Sequence, residues 1–410
     1  MVTREMEERE ADMIDGVVDF DNHYYEAEDA FTRFGDQEVK DFVRWLTAGK
    51  RKHLVFGTRM ATAIPHPTFD PIARPGAFHR RLKELAAEGD WANLPDTDSR
   101  KYGELERLPS HYRNRDDRLE VMTEQGVEKA VMFPTLGVGI EGINADDARV
   151  TYKLFTAFNR WLDDDWGFAY KDRIFAAPHI PLIHPYLATQ ELERVLAEGA
   201  RVIALRPGPA YGRSPADPLW DPFWSRLEEA GVPAAYHSYA GPDVYDEPWR
   251  LLWQRYGTTD PKYEANLRVA MNFDRPMVDT VLALVLGNLF GRFPGLRILS
   301  IELGCPWVFY VMHMLDHAVG LTERHIEAFG ETRPERPSAV FKRHFWISPF
   351  PEEDIVGLTE LVGADRVLFG SDWPHAEGTE HPRDYERYLE RLESRDIERI
   401  MRDNALGLLG

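Results

Sequence analysis

The sequence predicts an α/β fold of the (β/α)8 TIM barrel type, and three observations predict it. Short β-branched or apolar runs recur along the chain, helical patterns lie between most of them, and glycine or proline often stands just before the next run. Alternating βα units form a parallel sheet, and eight such units close a barrel. The eight predicted strands are Gly16–Asp21, Lys129–Pro134, Arg173–Pro178, Arg201–Arg206, Val232–His237, Arg297–Glu302, His344–Ser348 and Arg366–Ser371.

Helical patterns precede the second to eighth strands, as the alternation requires. In the longest of them, Tyr152, Phe155, Phe158 and Trp161 recur near helical spacing. Two further helices are predicted to close the chain. The predicted helices are Asp117–Gln125, Asp147–Tyr170, Ala188–Glu198, Pro222–Ala230, Val278–Phe290, Trp307–Leu321, Glu352–Val362, Asp384–Leu392 and Ile397–Leu409.

Two segments that follow strands are too long for ordinary βα loops. They are residues 24–116 after the first strand and 238–272 after the fifth. Loops that follow strands lie on the face of a barrel where active sites are built. We therefore predict one domain over residues 1–410, with an inserted cap at 24–116 and a lid after the fifth strand.

Composition excludes several classes of partner. The chain has 410 residues, 43% of them hydrophobic, and a net charge of −20, which argues against nucleic acid and anionic membranes. No apolar stretch approaches the length of a membrane span, and the first residues are acidic and polar, unlike a signal peptide. The single cysteine, Cys305, excludes an internal disulfide framework. We expect a cytoplasmic protein with a small-molecule substrate.

Residues that can bind a metal stand at the ends of four predicted strands. Asp21 and His23 are two positions apart, so an extended chain projects them to one side. His237 ends the fifth strand, Glu302 ends the sixth and Asp372 follows the eighth. Each residue alone has an ordinary explanation, such as a chance tripeptide, a core histidine or a turn cap. Because strand ends meet on one face of a barrel, together they predict a metal site.

Several longer segments resemble the amidohydrolase superfamily. The similarity is greatest to the branch related to 2-amino-3-carboxymuconate-6-semialdehyde decarboxylase, and it covers most of the chain from Gly16 onward. The segments that carry it are VVDFDNHYYE, KAVMFPT, ALRPGPAYGRSPADPLWDPFWSRLEEAGVPAAYH, SIELGCPWV, RVLFGSDWPHAEG and RDNALGLLG.

The resemblance implies a set of metal ligands, which are Asp21, His23, His237 and Asp372. It also implies one divalent ion rather than two, because Arg206 stands where binuclear relatives have a bridging Lys or Glu. We expect Zn²⁺, with Mn²⁺ as the alternative, since histidine and carboxylate ligands serve both ions.

Glu302 departs from the family pattern, in which decarboxylases of this branch usually carry histidine. The glutamate could act as a general acid or base, contact the metal, fix His23, or form a salt bridge with Arg206. This departure favours a mononuclear metal-dependent hydrolase. A metal-activated water would attack a small cyclic or aromatic carbonyl or carboxylate compound, with Asp372 and Glu302 as the catalytic residues. The alternatives are a non-oxidative decarboxylase of an aromatic or muconate-type acid, which CO₂ release would reveal, and a metal-stabilised binding protein.

Four further side chains are expected to bind the substrate. Arg206 can anchor a carboxylate through its planar fork, although a rim ion pair would explain it equally well. His184 follows the third strand, His375 stands close to Asp372, and Trp373 could form a pocket wall. Many members of the family are dimers, so we also expect a homodimer, with the inserted segment able to supply the contact.

Overall fold

The computed structural model describes residues 14, 16–49, 51–61, 67–88, 105–143, 146–239, 274–321 and 335–410. Most of the expected lid after the fifth strand lies outside the described residues. So do residues 62–66 and 89–104 of the inserted segment.

Parallel strands form the centre of the described fold, in two sheets whose strand orders are Val17–Tyr24, Val127–Pro134, Ile174–Ala176 and Ile203–Leu205, Ala234–His237, Ile298–Ile301, Phe345–Ile347. These seven strands coincide with the first seven predicted strands, and most are shorter than predicted. The strands are β1 (Val17–Tyr24), β2 (Val43–Ala48), β3 (Arg51–Phe56), β4 (Arg59–Met60), β5 (Ile72–Ala73), β6 (Leu105–Glu106), β7 (Val127–Pro134), β8 (Ile174–Ala176), β9 (Ile203–Leu205), β10 (Ala234–His237), β11 (Ile298–Ile301) and β12 (Phe345–Ile347).

The eighth predicted strand, Arg366–Ser371, is not a regular strand. It still hydrogen-bonds on both sides, because the Leu368 amide donates to the Ile347 carbonyl at 2.8 Å and the Phe369 carbonyl accepts from the Phe20 amide at 2.9 Å. A parallel bridge between His179 and Ala204 links the two sheets on the other side. The result is a TIM-barrel-like α/β fold.

Helices separate the parallel strands, mostly within a few residues of the predicted bounds. The longest begins at an Asp147 cap and ends at Asp165, before the left-handed Gly167 (φ 83°), and so is shorter than predicted. The two predicted closing helices are irregular, with 3₁₀ geometry at Pro382–Tyr388 and a π turn at Arg399–Asp403. The α-helices are α1 (Gln37–Phe42), α2 (Ala77–Glu88), α3 (Arg115–Glu124), α4 (Ala148–Asp165), α5 (Pro185–Ala197), α6 (Asp221–Ala230), α7 (Arg275–Leu286), α8 (Leu289–Arg292), α9 (Pro306–Leu321), α10 (Pro337–His344), α11 (Ile355–Val362), α12 (Ser394–Glu398) and α13 (Asn404–Leu409).

Alternate strand residues fill the space enclosed by the sheets. They form one buried apolar cluster, and a second, larger cluster lies between strands and helices. Side chains alternate along a strand, so a residue two positions after a member of this inner cluster points to the same side. Such residues therefore face the interior of the barrel at the C-terminal ends of the strands. His179, Arg206 and His237 follow Ala177, Ala204 and Ala235 in this way. None of the helices among the described residues is both long and apolar enough to cross a bilayer.

Besides the short helix α1 and a 3₁₀ turn at Ser110–Tyr112, the described part of the inserted segment contains three elements. One is an antiparallel sheet of β2, β3 and β4, the second is the ribbon of β5 and β6, and the third is α2. Helix α2 rests on the loop that follows the eighth predicted strand. The Phe78 amide donates to the Ala376 carbonyl at 3.0 Å, and Arg80 pairs with Glu380 at 2.6 Å.

Asp19 joins β1 to the segment that follows the eighth predicted strand. It is fully buried, and one carboxylate oxygen accepts from the Ser371 amide at 3.0 Å and the Asp21 amide at 3.2 Å. The other accepts from the Ser371 hydroxyl at 2.5 Å and the Asn22 side-chain amide at 2.8 Å. Burial raises the pKa of Asp19 to about 6, although these donors oppose the shift.

Replacing Asp19 by alanine should therefore destabilise the protein, because it leaves several buried donors without an acceptor. We expect Asp19→Ala to lower the free energy of unfolding by about 3 kcal/mol. The measurement is denaturant unfolding of metal-free protein. The exposed Asp41 serves as a control, since Asp41→Ala should change stability by less than about 0.5 kcal/mol. Equal stabilities of the two variants would contradict the joining role of Asp19.

Candidate metal centre

The four predicted ligands lie close together at the C-terminal ends of the strands. His23 Nε2 lies 3.3 Å from Asp21 Oδ1 and 3.2 Å from Asp372 Oδ1, and His237 Nε2 lies 3.5 Å from Asp21 Oδ1. Ligand atoms bound at about 2.1 Å to one ion lie about 3 Å apart when they are neighbours in the coordination shell. Asp21, His23 and His237 therefore form a group that could hold a cation, and a second such group of His23, Asp372 and His375 shares His23 with it.

Buried polar atoms without partners are evidence that a cation binds here. Asp21 Oδ1, His23 Nε2 and His237 Nε2 are buried and have no hydrogen-bond partner in the described structure. Buried polar atoms without partners are costly, so this arrangement calls for a ligand. His237 Nδ1 lies 3.1 Å from the Ser238 carbonyl, which can only accept. The proton therefore sits on Nδ1, and the lone pair of Nε2 is available to a metal.

His375 and Thr135 hold Asp372 in place. His375 Nδ1 lies 2.7 Å from Asp372 Oδ1, and His375 Nε2 lies 2.8 Å from the Thr135 hydroxyl. Burial alone would raise the pKa of Asp372, but His375 and His23 hold that pKa below its ordinary value. The structure thus places the predicted His375 directly against the predicted Asp372.

Glu302 also reaches the centre. Its Oε2 lies 3.3 Å from His237 Nε2 and 4.0 Å from His23 Nε2, and it accepts from the Ser238 hydroxyl at 2.6 Å. Burial, together with the neighbouring Asp372 and Asp21, raises the pKa of Glu302 well above its ordinary value. Both Glu302 and Asp372 have φ of 54°, the left-handed region that side chains other than glycine occupy at a cost.

Arg206 belongs to a buried ionic cluster beside this centre. Its Nε lies 3.2 Å from Glu141 Oε1, and Glu141 Oε2 lies 2.5 Å from His179 Nε2. The guanidinium also lies 5.1 Å and 5.0 Å from the ring centres of Tyr211 and Tyr239. Glu141 balances the charge of Arg206, which is the ion-pair explanation that the sequence left open. The role of Arg206 as a substrate anchor stays a prediction.

A cavity of about 280 Å³ opens beside Asp21, Glu302 and Asp372. Its volume is near the lower end for ligand pockets, which fits a small substrate. Phe78 and His79 of the inserted segment form part of its wall. The remaining lining residues are Ser348, Pro349, Phe350, Pro351, Glu352, Gly370, Ser371, Glu377, Gly378 and Thr379.

None of the four predicted substrate-binding residues belongs to this lining, and the side chains of His184 and Trp373 also lie apart from the candidate ligands. His184 is exposed at the N-terminal cap of α5. Trp373 is buried, with its ring 5.4 Å from that of Tyr112 and 4.5 Å from the Arg118 guanidinium. The structure does not bring either side chain to the cavity wall, and their roles in substrate binding stay predictions.

Sequence reasoning missed two residues that hold the ligands. Arg118 is buried and donates to Asn22 Oδ1 at 2.6 Å and to the His23 carbonyl at 3.0 Å. The other is Asp19, whose signal was present as an acidic residue within the apolar run VVDFDNH. Arg118 lies in the charged run RDDRLE and carries no comparable signal.

Metal content is the direct test of the centre. We expect His237→Ala to weaken binding of the divalent ion by at least about 100-fold, because it removes one ligand. The measurement is metal per chain by mass spectrometry after identical reconstitution and dialysis. The exposed His381 gives a matched control, and His381→Ala should retain the metal content of the unchanged protein. Equal metal content in all three proteins would contradict this site.

Comparison with known proteins identifies the family. The family model Amidohydro_2, described as amidohydrolase, matches residues 91–410. A crystal structure of an amidohydrolase from Mycobacterium avium subsp. paratuberculosis K-10 is 38% identical, with a TM-score of 0.84, and the match covers 97% of this chain and 98% of that one. A crystal structure of 2,6-dihydroxybenzoate decarboxylase from Rhizobium shares the fold, with a TM-score of 0.56 at 20% identity, covering 97% and 99% of the two chains.

The curated relatives correct the predicted reaction. Gamma-resorcylate decarboxylase from Polaromonas sp. (strain JS666 / ATCC BAA-500) is 26% identical over 289 residues, covering 66% of this chain and 80% of that protein. The enzyme of the same name from Rhizobium sp. (strain MTP-10005) is also 26% identical. These relatives support an enzyme, but the prediction of a hydrolase is wrong, since they favour the decarboxylase alternative. With a family model over most of its length and a solved relative of 38% identity, this chain belongs to the amidohydrolase family, in its Amidohydro_2 division.

Proposed function

We propose that this enzyme is a metal-dependent, non-oxidative decarboxylase of a small hydroxylated aromatic acid. One observation carries the proposal: the ligand atoms of Asp21, His23, His237 and Asp372 converge beside a cavity of about 280 Å³. The names of the curated relatives supply the reaction class. The substrate class is that of 2,6-dihydroxybenzoate, the compound with which a structurally similar decarboxylase was crystallised.

The four converging residues would hold a single divalent cation. When bound, such an ion supplies positive charge that fixes an oxygen of the substrate and stabilises the charge that develops during reaction. Zn²⁺ and Mn²⁺ both suit histidine and carboxylate ligands. A dihydroxybenzoic acid decarboxylase from Polaromonas sp. JS666 was solved with bound manganese, and it is 21% identical with a TM-score of 0.54 over 83% of this chain and 96% of that one.

Asp372 is the proposed carrier of the proton. His375 and His23 keep its pKa low, so it enters the reaction ionised and accepts the proton of the substrate hydroxyl. It then donates that proton to the ring carbon that carries the carboxylate. The bond from this carbon to the carboxylate breaks, its electron pair restores the aromatic ring, and CO₂ leaves. A proton from solvent returns the product phenolate to a phenol, so the net reaction consumes one proton.

The inserted segment is proposed to cap the cavity within one domain. Phe78 and His79 lie in the cavity wall, and the amide of Phe78 is bonded to the Ala376 carbonyl of the opposite loop. Exclusion of water there would strengthen the interactions of charged groups with the substrate. We further infer that the strands close a complete (β/α)8 barrel. The parallel bridges at His179–Ala204 and Asn22–Trp373 support this.

We also propose that the enzyme is a homodimer. Leu46 and Met60 of the small inserted sheet are 53% and 48% exposed, which leaves apolar surface for a second copy. Light scattering at several protein concentrations tests the proposal. A mass of one chain at every concentration would contradict it.

The reaction itself is tested by CO₂ release. We expect the reconstituted enzyme to release one CO₂ per molecule of a 2-hydroxybenzoate or 2,6-dihydroxybenzoate and none from benzoate, because benzoate has no hydroxyl proton to relay. Asp372→Asn cannot accept that proton and should lower kcat by about 1000-fold. The measurement is CO₂ trapping together with chromatography of the phenol product.

The exposed Asp365 provides the matched substitution for this assay, since Asp365→Asn should keep the rate of the unchanged enzyme. Turnover of benzoate as fast as its hydroxylated analogue would contradict the proton relay. No CO₂ from any hydroxylated aromatic acid, with metal bound, would contradict the proposed function.

A further inference from the structure

We propose that Glu302 is a fifth protein ligand of the metal, and that its carboxylate shifts the preference of the site from Zn²⁺ toward Mn²⁺. The inference rests on the proposed function only in that it requires a metal centre at Asp21, His23, His237 and Asp372. It concerns the metal itself, so it can be tested without substrate.

Two distances bring one Glu302 oxygen near the candidate histidine ligands. Glu302 Oε2 lies 3.3 Å from His237 Nε2, within the 3.2 to 3.5 Å range of the other ligand pairs, and 4.0 Å from His23 Nε2. With bonds of about 2.1 Å, neighbouring ligands lie about 3 Å apart and opposite ligands about 4 Å apart. Glu302 Oε2 thus lies close enough to both histidines to bind the same cation.

The contact between Glu302 and His237 is not a hydrogen bond. His237 Nε2 has no hydrogen-bond partner in the described structure although Glu302 Oε2 is 3.3 Å away. The proton of His237 is on Nδ1, where the Ser238 carbonyl accepts it. When Glu302 is ionised, its carboxylate oxygen and the lone pair of His237 Nε2 repel each other unless a cation lies between them.

The surroundings hold Glu302 as they would hold a metal ligand. The Ser238 hydroxyl donates to the same Oε2 at 2.6 Å, which is the kind of support that orients metal-bound carboxylates. Ser238 follows His237 directly, so one strand end supplies both a ligand and the support for another. Glu302 and Asp372 also share a left-handed backbone with φ of 54°, and both line the cavity.

The composition of this ligand shell determines its selectivity. Three carboxylates and two imidazoles make an oxygen-rich set, which suits Mn²⁺, whereas Zn²⁺ favours four ligands with more nitrogen or sulfur. Zn²⁺ binds most sites more tightly than Mn²⁺, so the informative quantity is the ratio of the two Kd values. A glutamate at this position should lower the Kd for Mn²⁺ relative to the Kd for Zn²⁺.

The experiment compares the Kd values of Mn²⁺ and Zn²⁺ in metal-free full-length protein by competition with a chelating dye. We expect Glu302→Gln to weaken Mn²⁺ binding by about 100-fold, and Glu302→His to shift the ratio by about tenfold toward Zn²⁺. Glu352 is an exposed carboxylate in the wall of the same cavity, so Glu352→Gln removes the same charge without removing a ligand. That control should change either Kd by no more than about twofold. Far-UV circular dichroism of the metal-free variants establishes that each is folded.

The outcomes separate this inference from the proposed function. Unchanged Kd values in folded Glu302→Gln would overturn the inference, and loss of CO₂ release in that variant would then place Glu302 on the substrate. An equal loss in Glu302→Gln and Glu352→Gln would also overturn it, since the cause would be general charge. Weakened Mn²⁺ binding confined to Glu302 would support it, even if no aromatic acid released CO₂. Glu302→Asp should retain the unchanged ratio of Kd values at lower affinity, because the carboxylate is kept.

Discussion

Confinement of negative charge at the ends of the strands is the constraint on which the rest of the site depends. Asp21, Asp372 and Glu302 are largely buried and share the space around two imidazoles. Two like charges 4 Å apart repel by about 4 kcal/mol at the effective dielectric of a protein. The fold can keep the three carboxylates together only if rigid neighbours hold each one and either a cation or a proton balances their charge, and the raised pKa of Glu302 reflects the same repulsion. The left-handed backbone at Glu302 and Asp372 is part of the same cost.

The supporting contacts come from both parallel sheets, and the centre joins them. Asp19 fastens β1 to the segment that carries Asp372, and the parallel register of β10 and β11 places His237 beside the end of β11. The ligands Asp21 and His23 belong to one sheet and His237 to the other. A cation bound where they meet would link the two sheets. Metal binding would therefore be coupled to the stability of the C-terminal end of the barrel.

The sequence predicted that these side chains meet at the strand ends, because their signal is local. A strand alternates its side chains, so Asp21 and His23 follow from spacing, and His237 and Asp372 follow from the ends of apolar runs. The partner of Arg206 was not predictable, since Glu141 is distant in sequence and meets it only in the fold. The prediction of the eighth strand was correct only in part, for a similar reason. Its apolar run was visible, but the amide of Ser371 is taken by the side chain of Asp19, which no pattern of hydrophobicity records.

The reaction was the part that residue types could not predict. Hydrolysis and decarboxylation can use the same cation, the same histidines and the same carboxylate that moves a proton. They differ in what lies next to Asp372, which is either a water molecule and a carbonyl or a ring carbon that carries a carboxylate. Phe78 and His79 of the inserted segment line the cavity beside Asp372 and so help to determine which of these groups can lie there. Specificity in this fold therefore resides in segments attached to the strands, whereas the strand ends supply chemistry that several reactions share.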